Sequence, residues 1–364
     1  MSSSFGTIFA VTVFGESHGK GIGVVVDGCP AGLKIKTSDV QMELDRRRPG
    51  FTVHTSARRE EDKVRILSGI FKGHTTGAPI CMFVPNKDVD SSFYEEIKET
   101  LRPSHSDYTA YLKYRGFADM RGGGRFSGRL TVALVMAGAI AKKILNTKGV
   151  KIAAHITRIG DVVAKPASVE KILDCSCSSQ VVCADSSVVE KMLKALEKAK
   201  REGDSLGGTV ECIVVNPPLA LGEPFFDTIE GDLAKALFAI PAVKGVEFGA
   251  GFSCASMRGS KNNDPFIIKD GKIVTETNNC GGILGGITDG MPIIFRIAVK
   301  PTPSISLPQK TVNMKTMKEE TIRIRGRHDP CIVPRVLPVV EAVTAIVLAD
   351  HLLRQTAFSK TLEE

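Results

Sequence analysis

Tryptophan is absent from this 364-residue chain, and aromatic residues make up only 6% of it. A surface that stacks on nucleic-acid bases needs aromatic side chains, so that function is disfavoured in spite of a net charge of +8. Paired cysteine motifs are missing too. The nine cysteines form an odd set without a Cys-x-x-Cys pair, and the close pair Cys175 and Cys177 has no second pair at zinc-site spacing. They read as reduced thiols, most of them small core residues, and no metal site is expected. No apolar run approaches the ~20 residues needed to cross a bilayer. The N-terminal Met1-Ser-Ser-Ser-Phe5 lacks the basic region of a signal peptide. A cytoplasmic protein without membrane contact is the expectation. Also lacking are a Gly-x-x-x-x-Gly-Lys-Ser/Thr phosphate loop, a Gly-x-Gly-x-x-Gly after the first strand, and a Gly-x-Ser-x-Gly elbow. Their absence weakens kinase, Rossmann dehydrogenase and serine hydrolase readings.

What the chain does have is positive charge gathered in glycine- and proline-bounded loops. Arg121-Gly-Gly-Gly-Arg125-Phe-Ser-Gly-Arg129 runs directly into the apolar stretch Leu130–Ala141. Glycines permit positive φ and close approach to a ligand. A helix N-terminus offers unpaired N–H groups and the positive end of a dipole. Arginine adds a planar fork matched to carboxylate and phosphate. The segment therefore reads as an anion site. Four further loops repeat the theme: Gly15-Glu-Ser-His18-Gly19, Asp45-Arg46-Arg47-Arg48-Pro49-Gly50, Arg102-Pro-Ser-His105-Ser-Asp107 and Gly326-Arg327-His328-Asp329-Pro330-Cys331. Taken singly, each has an ordinary structural explanation, such as arginines complementing a helix C-terminus or Asp329 pairing with Arg327. Together they describe a site for a substrate with several anionic groups and an acid–base step near neutral pH. Lys300-Pro-Thr-Pro-Ser304 adds a lysine and two hydroxyls for a phosphate, and Gly281–Gly286 offers bare backbone to a flat ligand.

Periodicity predicts strands over Thr7–Phe14, Ile22–Val26, Val64–Ser68, Ile80–Val84, Val150–Ile159, Gly208–Val215, Pro292–Val299 and Thr321–Arg325, with a hairpin over Phe266–Val274. Helices are predicted from a capping box at Ser38–Gln41 to Asp45, and over Ser91–Leu101, Ser106–Tyr114, Leu130–Leu145, Ser186–Arg201, Thr228–Ile240 and Val336–Arg354. No linker divides the chain. Hairpin signals outnumber βαβ units, which points to the α/β class of α+β type, with mixed or antiparallel sheets.

These segments resemble the chorismate synthase family. The likeness rests on Gly15-Glu-Ser-His-Gly19 through Asp27-Gly28, on Gly122–Ala139, and on Arg327-His-Asp-Pro-Cys331 through Glu341-Ala342. Asp45–Gly50, Gly203-Asp-Ser205, Leu221-Gly-Glu-Pro224, Val243-Lys-Gly-Val-Glu247 and Gly281–Gly286 match between them. It runs from about Phe5 to Gln355, which implies one catalytic domain over residues 5–355 with a short tail over 356–364. The resemblance further implies a β-α-β sandwich assembled as a homotetramer. The implied reaction is a 1,4-anti-elimination of phosphate from 5-enolpyruvylshikimate 3-phosphate, giving chorismate, with reduced FMN as cofactor. His18 would then act as acid at the departing phosphate, His105 beside the reduced flavin, and Asp329 near flavin N5. Arg47, Arg129 and Arg335 would hold substrate anions. Flavin contacts would fall on Arg125, Phe126, Ser127, Pro241, Ala242, Gly285, Lys300, Pro301, Thr302, Pro303, Ser304 and Arg327. Three positions depart from the family pattern. Phe126 stands where a hydroxyl is usual, Pro241 where an Asn is usual, and Val53 where relatives often carry an arginine that joins Arg47 in NADPH binding. With Val53 there, reduced FMN is expected from a separate flavin reductase.

Overall fold

The computed structural model describes residues 3–48, 61–87, 91–175, 181–324 and 329–357. Two five-stranded sheets enclose a layer of helices. The first is built from β1 (Ser4–Phe5), β2 (Ala10–Gly15), β3 (Gly21–Asp27), β4 (Arg65–Ile66) and β5 (Ile80–Pro85), in the order β1-β2-β3-β5-β4. The second contains β6 (Lys151–Ile159), β7 (Val162–Val163), β8 (Gly208–Val215), β9 (Val243–Phe248) and β10 (Ile293–Val299), in the order β9-β10-β8-β6-β7. Every described strand pairing is antiparallel, which resolves the mixed-or-antiparallel expectation. The longer described helices are α1 (Thr37–Arg47), α2 (Asp107–Tyr114), α3 (Thr131–Asn146), α4 (Val169–Cys175), α5 (Ser186–Glu202), α6 (Ile229–Phe238) and α7 (Val333–Ala357). Helix α3 packs on β3 and α7 on β6, with α3 and α7 against each other. The result is a β-α-β sandwich.

Alternation explains the second sheet. On β8, Val210, Cys212 and Val214 join the large core toward the helices, while Ile213 joins a smaller cluster with Ile172 of α4 on the outer face. Between the sheets, Gly138 lets α3 meet α7. A Cβ there would come within 2.3 Å of the Ala342 Cβ.

Helix α7 is long and apolar enough by composition to cross a membrane, a run the sequence reading passed over, but it lies almost wholly buried in this core. Its charged residues explain why it belongs there. Asp350 Oδ1 accepts the N–H groups of Thr7, Ile8 and Phe9 at 3.0, 2.7 and 2.8 Å, fastening the N-terminal segment to the helix. Glu341, 1% exposed, accepts from Arg46 through both oxygens, from Lys142 at 2.7 Å, and from the Ala154 N–H at 3.1 Å. Burial alone would raise its pKa; Lys142 and Arg46 outweigh burial and hold it down to about 2. A depressed carboxyl contributes stability that is present above its unfolded value of about 4.3 and is lost as pH falls through the folded value. Urea midpoints measured from pH 6 to pH 2.5 are therefore expected to fall steeply below about pH 4, with a contribution from Glu341 on the order of 3 kcal/mol. A flat profile down to pH 2.5 would contradict this assignment.

Three local expectations need correction. Helix α1 starts at Thr37, not behind a Ser38 cap: the Asp39 carboxylate accepts the Lys36 N–H at 2.8 Å, and the box closes two residues earlier. The helix expected over Ser91–Leu101 is one turn, Ser92–Glu96. Beyond it, Leu101 N–H donates to Val312 O, and Met314 N–H donates to Glu99 O. A polar hairpin, Gln309–Asn313 with Lys318–Ile322, thus claims the backbone that a longer helix would use. That hairpin also replaces the strand expected at Thr321–Arg325.

Candidate active site

The arginine and histidine loops converge where α3 begins. The Arg121–Leu130 segment is not a simple loop. It turns through Gly122, Gly123 and Gly124 at φ of 60°, 85° and 51°, conformations that only glycine adopts freely, then makes a 3₁₀ turn into α3. Ser127 caps that turn, its hydroxyl accepting the Arg129 N–H at 3.3 Å.

A cavity of about 640 Å³ opens beside this turn, within the size range of cofactor and substrate pockets. Among the described residues, seven cationic side chains line it, Arg47, Arg102, Arg125, Arg129, Lys244, Lys300 and Arg335, against the carboxylate of Asp329. Such a wall concentrates positive potential in a partly dehydrated space and favours a ligand with several negative charges.

Behind the wall the arginines are held in place. Asp62, 2% exposed, sits between Arg47 and Arg129: Arg47 reaches its Oδ2 at 3.4 Å, and Arg129 makes a short bond to Oδ1. Arg47 also donates to Thr131 Oγ1 and to Gly128 O, each at 2.9 Å. Arg129 Nε donates to Asn86 Oδ1 at 3.0 Å. Arg335 of α7 pairs with Asp329. Guanidiniums fixed this way lose little conformational entropy on meeting an anion.

His105 comes from the loop ahead of α2. Its Nδ1 lies 2.8 Å from Asp107 Oδ1, and Arg102 clamps the same carboxylate at 2.6 Å. Burial would raise the Asp107 pKa, but the hydrogen bonds from His105 and Arg102 prevail and keep it below the usual carboxylate range. An ionised Asp107 only accepts, so Nδ1 carries the proton and Nε2 is left on the side of Gly123, while the His105 side chain lines the cavity. His18 sits one layer back. Its ring lies against Gly122 and meets Tyr94 edge-on at 5.2 Å, both of them wall residues, and Nδ1 is 2.8 Å from Ser91 Oγ.

On the opposite wall, Lys300 N–H donates to Ala242 O at 2.9 Å, which joins the 300–304 loop to the turn after α6. Lys300 Nζ reaches Ser104 O at 2.8 Å. Burial and the neighbouring Lys244 both lower its pKa. Thr302 Oγ1 is buried without a hydrogen-bond partner among the described residues, although the Thr302 carbonyl accepts from Ser205 Oγ at 2.7 Å.

Most sequence-selected residues meet here. Arg47, Arg129 and Arg335 line the cavity together with His105 and Asp329. So do Arg125, Phe126 and Ser127, as well as Pro241, Ala242, Lys300, Thr302, Pro303 and Ser304. Phe126 tilts against Tyr114 at 6.4 Å, so its ring packs where a hydroxyl was usual. Pro301 is exposed and does not line the cavity. Gly285 is placed elsewhere: it turns the Ile283–Leu284/Ile287–Thr288 hairpin beside Ile229, at the start of α6. Pro241 and Ala242 follow the far end of that ten-residue helix, about 15 Å along its axis. Arg121 also points away, paired with Asp119 at 2.8 Å and lining a separate cavity. Arg327, His328 and Val53 lie outside the described residues. Sequence reasoning missed Asp62, Asn86, Tyr94 and Lys244. Asp62 ends a Glu60-Glu61-Asp62 acidic run that looks like solvated surface, and nothing local marks the others.

Among the described residues no group of His, Cys, Asp and Glu could hold a metal ion. The described cysteines are free thiols, and burial raises those of Cys29 and Cys331 to about 11 and about 12, which makes them inert at neutral pH.

A profile of the chorismate synthase family matches residues 9–353. A chorismate synthase of Dehalococcoides mccartyi is 55% identical over 364 residues, covering all of both chains. One from Pyrococcus abyssi is 58% identical over 348 residues, or 96% of this chain and 97% of that one. A crystal structure of a chorismate synthase superposes with a TM-score of 0.76 at 32% identity, covering 95% of this chain and 91% of the other.

Proposed function

The chain belongs to the chorismate synthase family, and on that premise we propose that its cation-lined cavity is where the elimination takes place. The enzyme is a carbon–oxygen lyase that converts 5-enolpyruvylshikimate 3-phosphate to chorismate and phosphate, in the pathway to aromatic compounds. The observation that carries the assignment to this cavity is its wall, where the described residues include seven cationic side chains and one carboxylate. The substrate bears a phosphate and two carboxylates, and few ordinary pockets would tolerate so much negative charge.

Each residue has a task that its placement supports. Arg47, Arg129 and Arg335 bind and orient the substrate anions, held by Asp62, Asn86 and Asp329. Charge accumulates on the phosphate as its C–O bond breaks, and preorganised guanidiniums stabilise that charge without reorganising. His18 delivers a proton toward the leaving phosphate from behind Gly122. His105 presents Nε2 to the cavity with Asp107 fixing its tautomer. Asp329 holds a proton-accepting carboxylate in the wall, steadied by Arg335.

The site also suits reduced FMN. Lys300, Arg125 and Ser304 offer charge and hydroxyl to its phosphate. Thr302 Oγ1 is a buried hydroxyl lacking a partner among the described residues, and Gly122, Pro241 and Ala242 line the same cavity. When bound, reduced FMN supplies the reducing character on which this elimination, with no net redox change, depends. The wider reading is a cytoplasmic homotetramer that takes its reduced FMN from a separate flavin reductase. For NADPH, Arg47 is the one candidate contact, since Val53 stands where relatives often carry a second arginine.

Phosphate release from 5-enolpyruvylshikimate 3-phosphate, assayed anaerobically with FMN and dithionite, tests this. Turnover is expected only with reduced flavin. Equal phosphate release without flavin, or none with it, would overturn the reading.

A further inference from the structure

We infer that Asn86 is a positioning residue that sets the proton-donating His18 loop and the substrate arginine Arg129 in one register. The inference rests on the roles proposed above for those two residues. Asn86 follows the last residue of β5, and the loop between β2 and β3 folds over it. Its Nδ2 lies 3.1, 3.0 and 2.9 Å from the carbonyl oxygens of Glu16, Ser17 and Gly19. Its own N–H donates to Lys20 O at 3.2 Å. Four carbonyls of the five-residue stretch around His18 therefore converge on one residue. Its remaining polar atom, Oδ1, accepts from Arg129 Nε at 3.0 Å.

This arrangement fixes the amide orientation, because carbonyls only accept and a guanidinium only donates. It also makes asparagine specific. Aspartate keeps the acceptor for Arg129 and the backbone N–H to Lys20 O but loses the side-chain donor that holds Glu16, Ser17 and Gly19. Alanine loses both. Glutamine has both groups one methylene too far out. The loop is otherwise held near His18 by the Ser17 N–H to Gly124 O bond at 3.2 Å and by Ser91 on the ring. Asn86 thus joins the anion-binding side of the site to the proton-donating side by a single carboxamide. A displacement of about 1 Å in a reacting group is enough to cost about 10²-fold in rate.

The test is steady-state kinetics under the same anaerobic assay. In Asn86→Asp, kcat is expected to fall at least about tenfold, with the substrate KM close to that of the unmodified enzyme. In Asn86→Ala, KM is expected to rise as well. Combining Asn86→Asp with His18→Ala is expected to lower kcat no further than His18→Ala alone, since both act through one group. Fully multiplicative losses would overturn the inference, as would Asn86→Asp with unchanged kcat. Failure of both single variants to give folded protein by circular dichroism would also overturn it, assigning Asn86 to the fold alone. Near-full turnover in His18→Ala would instead remove the proposed role of His18 and with it the premise, an outcome separate from the others.

Discussion

Alanine at His18 or at His105 is expected to lower kcat by ~10²–10⁴-fold while the protein stays folded. Both imidazoles come from loops rather than core elements, and each is fixed by polar partners: Ser91 for His18, Asp107 for His105. Neither substitution opens a large apolar cavity. The loss should therefore appear chiefly in turnover. Arg47, Arg129 and Arg335 remain in place in either variant, so substrate KM should change much less than kcat. The two variants differ in one respect. His105→Ala also leaves the Asp107 carboxylate with Arg102 alone, so a modest fall in melting temperature is expected there and not in His18→Ala. Near-full activity in either variant would remove that histidine from the reaction.

Gly122→Ala is expected to do comparable damage through a single methyl group. The residue has φ of 60°, where an L side chain costs roughly 1–2 kcal/mol. Its Cβ would come within 2.2 Å of His18 Cδ2 and 2.4 Å of Nε2. The ring has to move, and displacing a proton donor by that much should cost about 10²-fold in kcat. Gly149→Ala separates strain from collision. Gly149 has φ of 74°, yet nothing lies within 4 Å of the Cβ position. It should share the loss of stability and keep its turnover. Equal kcat losses in the two variants would show that backbone strain, and not the His18 ring, is responsible.

These predictions concern a glycine turn that was legible in the sequence, and the reasons are instructive. The run of glycines between Arg121 and Arg125, followed by an apolar helix, carried both the positive-φ turn and the helix N-terminus. The large sheets and α5 were legible because hydrophobic period reports burial of one face, and α3 and α7 because their long apolar runs are buried on nearly every side. What escaped depended on distant partners. Asp62 looks like surface in an acidic run, but two arginines 15 and 67 residues away enclose it. Asn86 is an ordinary polar residue until the loop near His18, about 70 residues earlier, folds over it. The Gln309–Ile322 hairpin has few apolar residues, so it gave no alternation to detect, and it shortened the helix expected at Ser91–Leu101. Arg121 and Arg125 belong to one motif, but the three glycines between them turn the chain so that only Arg125 faces the large cavity.

Gly285 lies apart from the other expected flavin contacts of the same chain. The hairpin it turns sits at the start of α6, while Pro241 and Ala242 follow its end. Within one chain, these flavin expectations are separated by the length of a helix.

The most direct test of the central claim is a crystal structure of the protein with FMN and 5-enolpyruvylshikimate 3-phosphate bound. The account predicts both ligands in the cavity between the Gly122–Gly124 turn and the 300–304 loop, with substrate anions on Arg47, Arg129 and Arg335. Ligand density in the separate cavity beside Arg121, with the larger one filled only by solvent, would contradict it.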